Sequence, residues 1–302
     1  MNKELEFIID TVKGAASLIT DEFEVKAKDD KGDLITNFDL EVEQYIIDTI
    51  KENYPSFSII SEEFNTKAEL TDNCFTIDPI DGTINFANGL PLWAIQVACI
   101  KDGKTCAAVI YLPRINELYY ADDTGAFLNG KPIHVNNKDI KNGLYCVEGP
   151  GNLIGIYKMK QINYRGSRDM YCAAVNFAFV AAGRLSAVSF IYDTYWDYIP
   201  GTYIVEKAGG YIYNAPYLHV AANSEEFLNA LVERTPVKDD EELTIVKKWF
   251  LGQVQKTRFR EFRTCPKKNI FKTKLFVFLL RFLYLLKALP LLLLQNCFSK
   301  DF

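Results

Sequence analysis

The chain has 302 residues, 49% hydrophobic and 24% charged, with a formal net charge of -5. That length and balance exclude a disordered or disulfide-stapled chain and leave room for a substantial buried core. Charge is unevenly spread: residues 256–302 hold eleven Lys and Arg against two acids, leaving residues 1–255 with 23 bases and 37 acids, and an acidic body argues against nucleic acid as a partner.

Met1-Asn2-Lys3-Glu4 leads into an amphipathic pattern rather than a signal peptide. Leu5, Ile8, Ile9, Val12, Ala15, Ala16 and Ile19 recur at helical spacing and predict a helix over 3–23. Residues 24–33, charged and glycine-containing, read as a loop, with Lys31 an ordinary solvated lysine. Thr36-Asn37-Phe38-Asp39 fits a capping box that opens a helix to about Asn53, with Asp39 reaching back to the Thr36 N–H. Phe57–Ser61 reads as a strand delivering Glu62 and Glu63 at its end. Adjacent strand residues face opposite ways, so at most one of that pair would reach a given site.

Cys74-Phe75-Thr76-Ile77 is a short apolar run that reads as a buried strand, and Asp78-Pro79-Ile80-Asp81-Gly82-Thr83 follows it. Pro79 biases Asp78 toward extended backbone, so neither acid is expected inside a helix. Gly82 permits close approach of a bound group, and Thr83 offers a hydroxyl beside backbone donors. Hard oxygen ligands next to amide donors suit Mg²⁺ plus a phosphate, while an Asp-Pro-Gly turn at a strand end is common in itself.

Apolar runs 92–101 and 104–112 are joined by Asp102-Gly103, a hairpin signal, and 117–121 and 126–128 continue the meander to a turn at Asn129-Gly130. Leu144–Val147 starts a second half as another strand. Arg165-Gly166-Ser167-Arg168 reads as a polar turn before a helix carrying Ala173, Ala174, Phe177, Val180 and Ala181, which Gly183 ends. A strand at 185–191 precedes a helix opened by Asp197, with Pro200 in its first turn and Gly209-Gly210 at its close. Strands 211–213 and 218–222 and a helix 225–233 complete the body. These elements predict an α+β fold in two halves, about 1–140 and 141–235.

Residues 236–302 form a C-terminal extension. A helix is expected over 239–262, then a basic stretch, then a nearly apolar helix at 275–294 interrupted by Arg281, Lys287 and Pro290. Its length suits a membrane span or an interfacial anchor, a helix packed on the body or a partner, or an aberrant chain end. Seven scattered cysteines without a C-x-x-C pair read as reduced thiols in a cytoplasmic protein. His134 and His219 are the only histidines, which supports neither a zinc site nor a Ser-His-Asp hydrolase.

Asp78-Pro-Ile-Asp81-Gly-Thr-x-Asn-Phe resembles the first signature of the inositol monophosphatase family of Mg²⁺-dependent, lithium-sensitive phosphatases. Trp196-Asp197 followed by Gly201 resembles the second. Glu62-Glu63 and Asp33-Leu34-Ile35-Thr36-Asn37-Phe38-Asp39 supply two weaker elements, all four in the family's order, and the likeness spans roughly residues 1–232. The resemblance implies a layered αβαβα sandwich, usually a homodimer, that hydrolyses a small phosphate monoester. It implies two or three Mg²⁺ ions on Glu62, Asp78, the Ile80 carbonyl, Asp81 and Asp197. It also implies that Asp39 orients Thr83 toward an attacking water, that Gly82 and Thr83 cradle phosphate, that Ala173 and Asp197 meet substrate hydroxyls, and that Lys31 approaches the metals. Sequence alone favours the capping role for Asp39, the surrounding motif set favours the catalytic one, and the catalytic role is the one expected.

Two departures bear on substrate. Counted back from Asp197 without a gap, Phe190 takes the position of the family's sugar-binding Glu, a gap would offer only Asp193 as a carboxylate, and Ile199-Pro200 replaces a small Ala-Ala. An inositol monophosphate, another sugar phosphate, or a nucleotide such as 3′-phosphoadenosine 5′-phosphate are the enzymatic alternatives. A membrane-tethered, non-catalytic binding module is the alternative of another class, disfavoured by the intact acid set.

Overall fold

The structure, a computed structural model, describes residues 1–28, 33–149, 165–192 and 194–235. The helix and apolar segment expected over 239–262 and 275–294, and Lys31, lie outside them.

Helix α1 (Lys3–Ala16) begins where Asn2 accepts the Leu5 N–H at 2.8 Å. It stops seven residues short of the expected end, because Ser17 caps it and Leu18 turns outward. The supposed loop after it contains β1 (Val25–Ala27), paired antiparallel with β2 (Leu34–Thr36). Three exposed residues pair through backbone alone, leaving no periodic side-chain signal. Helix α2 (Asn37–Asn53) opens at the capping box as read.

A seven-stranded sheet then runs in order β3 (Ser58–Ser61), β4 (Cys74–Asp81), β5 (Ala94–Lys101), β6 (Lys104–Leu112), β7 (Glu117–Asp122), β8 (Gly125–Leu128) and β9 (Lys131–Pro132). Only the β3–β4 pair is parallel. Between β4 and β5 lies the short helix α3 (Thr83–Ala87). The hairpins turn where expected: Asp102 and Gly103 have φ of 53° and 73°, Asn129 and Gly130 48° and 83°. Left-handed backbone at both central residues matches the twist of the flanking strands.

The second sheet takes β10 (Leu144–Glu148), β11 (Gly166–Ser167), β12 (Ala187–Phe190), β13 (Tyr211–Ala215) and β14 (Leu218–Ala222) in the order β11-β10-β12-β14-β13. The polar turn expected at 165–168 is instead the edge strand β11, parallel to β10. Helix α4 (Ala173–Ala181) and helix α5 (Tyr195–Lys207) connect these strands, and α6 (Glu225–Arg234) follows them. Pro200 is the sixth residue of α5 and not in its first turn, because the helix starts at Tyr195, two residues before Asp197.

Period-two alternation sorts the side chains into layers. Ile95, Val97 and Cys99 of β5 pack with Leu5, Ile8, Val42 and Ile46 of α1 and α2. Ala94, Ala98 and Ile100 face the other way, onto a core shared with Ala174, Phe177, Ile204 and Val188. Tyr145, Val147, Val220 and Ala222 pack with Phe227 and Leu231 of α6. Helices, sheet, helices, sheet and helix therefore stack as an α+β sandwich of five layers.

Candidate active site

The site forms where β4 ends against the inner helix layer. All eight residues of β4 are buried, and its alternation places Thr76 and Asp78 on the face of Cys74, toward α4 and α5. Opposite β5, β4 spends three residues from Asp78 to Asp81 while its partner spends two, from Gln96 to Ala94. This bulge re-aims the strand so that both acids arrive together. Gly82 then adopts φ 84°, and a Cβ there would meet the Cys172 Cβ at 3.0 Å, so only glycine turns this corner without strain.

Asp197 comes from the first turn of α5. Its N–H donates to the Thr194 carbonyl at 3.0 Å, and its Oδ2 accepts the Thr194 hydroxyl. The crossing of α5 on α4 is tight at Gly201, where a Cβ would stand 2.5 Å from Phe177. That contact accounts for glycine four residues after the aspartate.

Asp78, Asp81 and Asp197 can each offer one oxygen with all three atoms within 4.8 Å of one another. Asp78 and Asp81 are buried, Asp197 half-buried. Loss of water, and next the charges of Glu62, Asp81 and Asp197, push the Asp78 carboxyl well above the ordinary range. Asp197 is raised for the same reasons, and Asp81 is pushed up to about 6, chiefly by burial. Three such groups cannot all ionise unaided. A divalent cation with a preference for hard oxygen fits this donor set, because it would stabilise all three charges at once.

Glu62 stands outside that group, although its charge acts on all three acids. Its carboxylate pairs with Lys28 at 2.9 Å, and the same ammonium meets Glu63 at 2.5 Å. Glu43, from α2, accepts the N–H groups of Glu63 and Phe64 at 2.9 and 2.8 Å and fixes the strand end. Both acids thus meet one lysine just after β1, against the expectation that only one of them could reach a given site, because β3 ends at Ser61 and strand alternation does not extend to the pair.

Asp39 makes the capping contacts and also approaches Thr83. Its Oδ2 accepts the Thr36 N–H at 2.6 Å and the Thr36 hydroxyl at 2.5 Å, while Oδ1 lies 3.3 Å from the Thr83 hydroxyl. Thr83 Oγ1 is also 3.0 Å from the Ile80 carbonyl, and its single hydrogen serves one acceptor at a time. Ala173 is buried at the start of α4, and the N–H of its neighbour Ala174 donates to Asp81 Oδ2 at 2.5 Å.

Glu148 was not singled out in the sequence. It ends β10 in register with Phe190 of β12, so a carboxylate on the neighbouring strand stands beside the aromatic residue. Asn176 donates to Glu148 Oε2 at 2.6 Å, and burial followed by the charges of Asp81 and Asp169 raises its pKa well above the usual range. Cys146, Glu148 and Asp169 form a second group within 4.8 Å. An acid ending an apolar strand was the available signal, the same one that marked Glu62. Asn85 was also missed: its amide ties the turn to the Leu92 and Met170 carbonyls, each at 2.7 Å.

A profile of the inositol monophosphatase family matches residues 1–232. The chain belongs to the inositol monophosphatase family. It is 34% identical over 215 residues to fructose-1,6-bisphosphatase/inositol-1-monophosphatase of Thermotoga maritima, covering 68% of this chain and 82% of that protein. Nus factor SuhB of Escherichia coli is 33% identical over 228 residues, covering 70% and 85%. The solved IMPase of Thermotoga maritima superposes with a TM-score of 0.69 at 29% identity, covering 77% of this chain and 98% of that one. Family membership makes the chain a phosphoric monoester hydrolase. Among the described residues no helix is long and apolar enough to cross a membrane.

Proposed function

We propose that this chain hydrolyses a small polyhydroxylated phosphate monoester, with Mg²⁺ held by Asp78, Asp81 and Asp197. The convergence of those three carboxylates within 4.8 Å, on elements more than a hundred residues apart, carries the reading. Glu62 and the Ile80 carbonyl extend the ligand set to two or three ions. Bound there, Mg²⁺ supplies charge neutralisation at the phosphate and lowers the pKa of an attacking water.

The chain's own groups provide alignment. Asp39, fixed through its other oxygen by Thr36, holds the Thr83 hydroxyl so that its lone pairs orient the water. The N–H groups at the start of α3, which have no partner within a helix of their own, face the phosphate oxygens once Gly82 has turned the chain. Ala173 and Asp197 border the leaving group. Glu148, beside Phe190, is placed to accept hydrogen bonds from its hydroxyls.

The Thermotoga relative's name joins a sugar bisphosphate and an inositol monophosphate, both polyol phosphates. A nucleotide such as 3′-phosphoadenosine 5′-phosphate is the second enzymatic reading, favoured by the loss of a carboxylate at Phe190. Phosphate release from sugar, inositol and nucleotide monoesters, measured with and without Mg²⁺ and with millimolar LiCl, tests the proposal. Expected are Mg²⁺-dependent turnover of a polyol phosphate and inhibition by lithium. Equal rates in EDTA would sink the metal assignment, and exclusive nucleotide turnover would sink the polyol one.

A further inference from the structure

Between Ala94 and Ile100 of β5 every side chain is apolar except Gln96, which is fully buried. It sits directly across the ladder from Asp78, at the bulge. Its Nε2 lies 3.4 Å from Asp78 Oδ2 and 3.3 Å from Asp81 Oδ2, and an amide NH₂ has one hydrogen for each. Its carbonyl Oε1 has no hydrogen-bond partner. A buried carbonyl without a donor is costly, and a Leu or Met would fill the same strand position without it. The residue makes sense only through what its nitrogen does.

We propose that Gln96 is a positioning residue that sets cation affinity by clamping the Oδ2 atoms of Asp78 and Asp81. The clamp fixes the rotation of two mutually repelling carboxylates, leaving their other lone pairs free for a cation. Asp81 Oδ2 already accepts from Ala174, so the Gln96 contact completes its saturation. Groups that orient metal ligands from behind are commonly worth 10–100-fold in affinity. The proposal rests on the reading of Asp78 and Asp81 as cation ligands.

The test is Mn²⁺ binding by the full-length protein without substrate, followed by the electron paramagnetic resonance of free Mn²⁺. In Gln96→Met, dissociation constants are expected to rise about 10–100-fold. The Mg²⁺ concentration for half-maximal turnover should rise in parallel, while kcat at saturating Mg²⁺ changes far less. Gln96→Asn, whose amide is one methylene too short to bridge both acids, should also weaken binding. A folded variant of either kind that binds Mn²⁺ within about threefold of the unmodified chain overturns the proposal. So does failure of both variants to fold, which would make the residue structural. If the unmodified chain itself binds no Mn²⁺, the cation reading of the site has failed, and this inference falls with it.

Discussion

Two groups of acids meet at the end of β4, and they manage their charge by opposite means. Among the described residues, the hydrogen bonds to Asp78, Asp81 and Asp197 come from neutral donors (Gln96, the Ala174 and Ile80 N–H groups, and the Thr194 hydroxyl). Glu62 and Glu63 instead have a cation of the chain's own, Lys28. Neutral donors orient carboxylates without cancelling their charge, which is the setting the proposed Mg²⁺ would complete. In the second group the lysine meets part of the charge, so Glu62 would serve the proposed ions only in competition with it. The contrast teaches that acid clustering alone does not mark a cation site; what surrounds the acids does.

The largest effect expected from breaking this contrast follows removal of a charge from the neutral-donor group. Asp197→Asn or Asp78→Asn should lower kcat/KM about 1000-fold, equivalent to about 4 kcal/mol, with circular dichroism unchanged. Steady-state turnover of the best monoester checks it, and a folded variant with full activity would remove the group from the chemistry.

A pH effect comes next. Burial pushes the Asp81 carboxyl up to about 6, and burial with neighbouring acids raises Asp78 and Asp197 as well. The ordinary Asp value is about 3.9. Between that value and the folded ones the native chain binds more protons than the unfolded one, so these groups cost stability as pH rises. The melting temperature of EDTA-treated protein should fall as pH goes from 5 to 7.5, by roughly 5 °C from this source. Mg²⁺ should restore it at pH 7.5 more than at pH 5, as differential scanning calorimetry would record. A Mg²⁺ increment that shrinks as pH rises would contradict the protonation picture.

The smallest effect belongs to Lys28. Because its ammonium occupies Glu62, Lys28→Met should lower the Mg²⁺ concentration for half-maximal activity by about threefold, the scale of a partly exposed ion pair. Activity titrations against Mg²⁺ would detect it. A rise in the requirement would instead make Lys28 a support of the site.

Much of the fold was legible because local chemistry and global role agreed. Asp102-Gly103 and Asn129-Gly130 turn hairpins through their own backbone preference, and α2 begins where its capping box says. The first sheet was readable because successive strands are neighbours. In the second, β10 pairs with β12 and β11 in parallel across long connections, and a two-residue strand such as β11 has too few side chains to announce itself.

The site divided along similar lines. Asp78, Asp81 and Gly82 lie in one continuous motif, and Asp197 beside a tryptophan in another. Lys28, Gln96 and Glu148 escaped a sequence reading because each makes its contacts with residues distant along the chain. Gln96 did leave a trace, as the lone amide in Ala-Ile-Gln-Val-Ala-Cys-Ile, a run otherwise fit only for a core.

The divided carboxylate of Asp39 has a consequence for heat and for mutation alike. One oxygen secures the opening turn of a seventeen-residue helix and the other lies 3.3 Å from the Thr83 hydroxyl, which in the proposed mechanism aims the water. Fraying of that turn is therefore also misaiming, and catalytic competence should fade on warming while most of the molecule is still intact. On that proposal helix and chemistry share a single hinge pin, and neither could be retuned without disturbing the other.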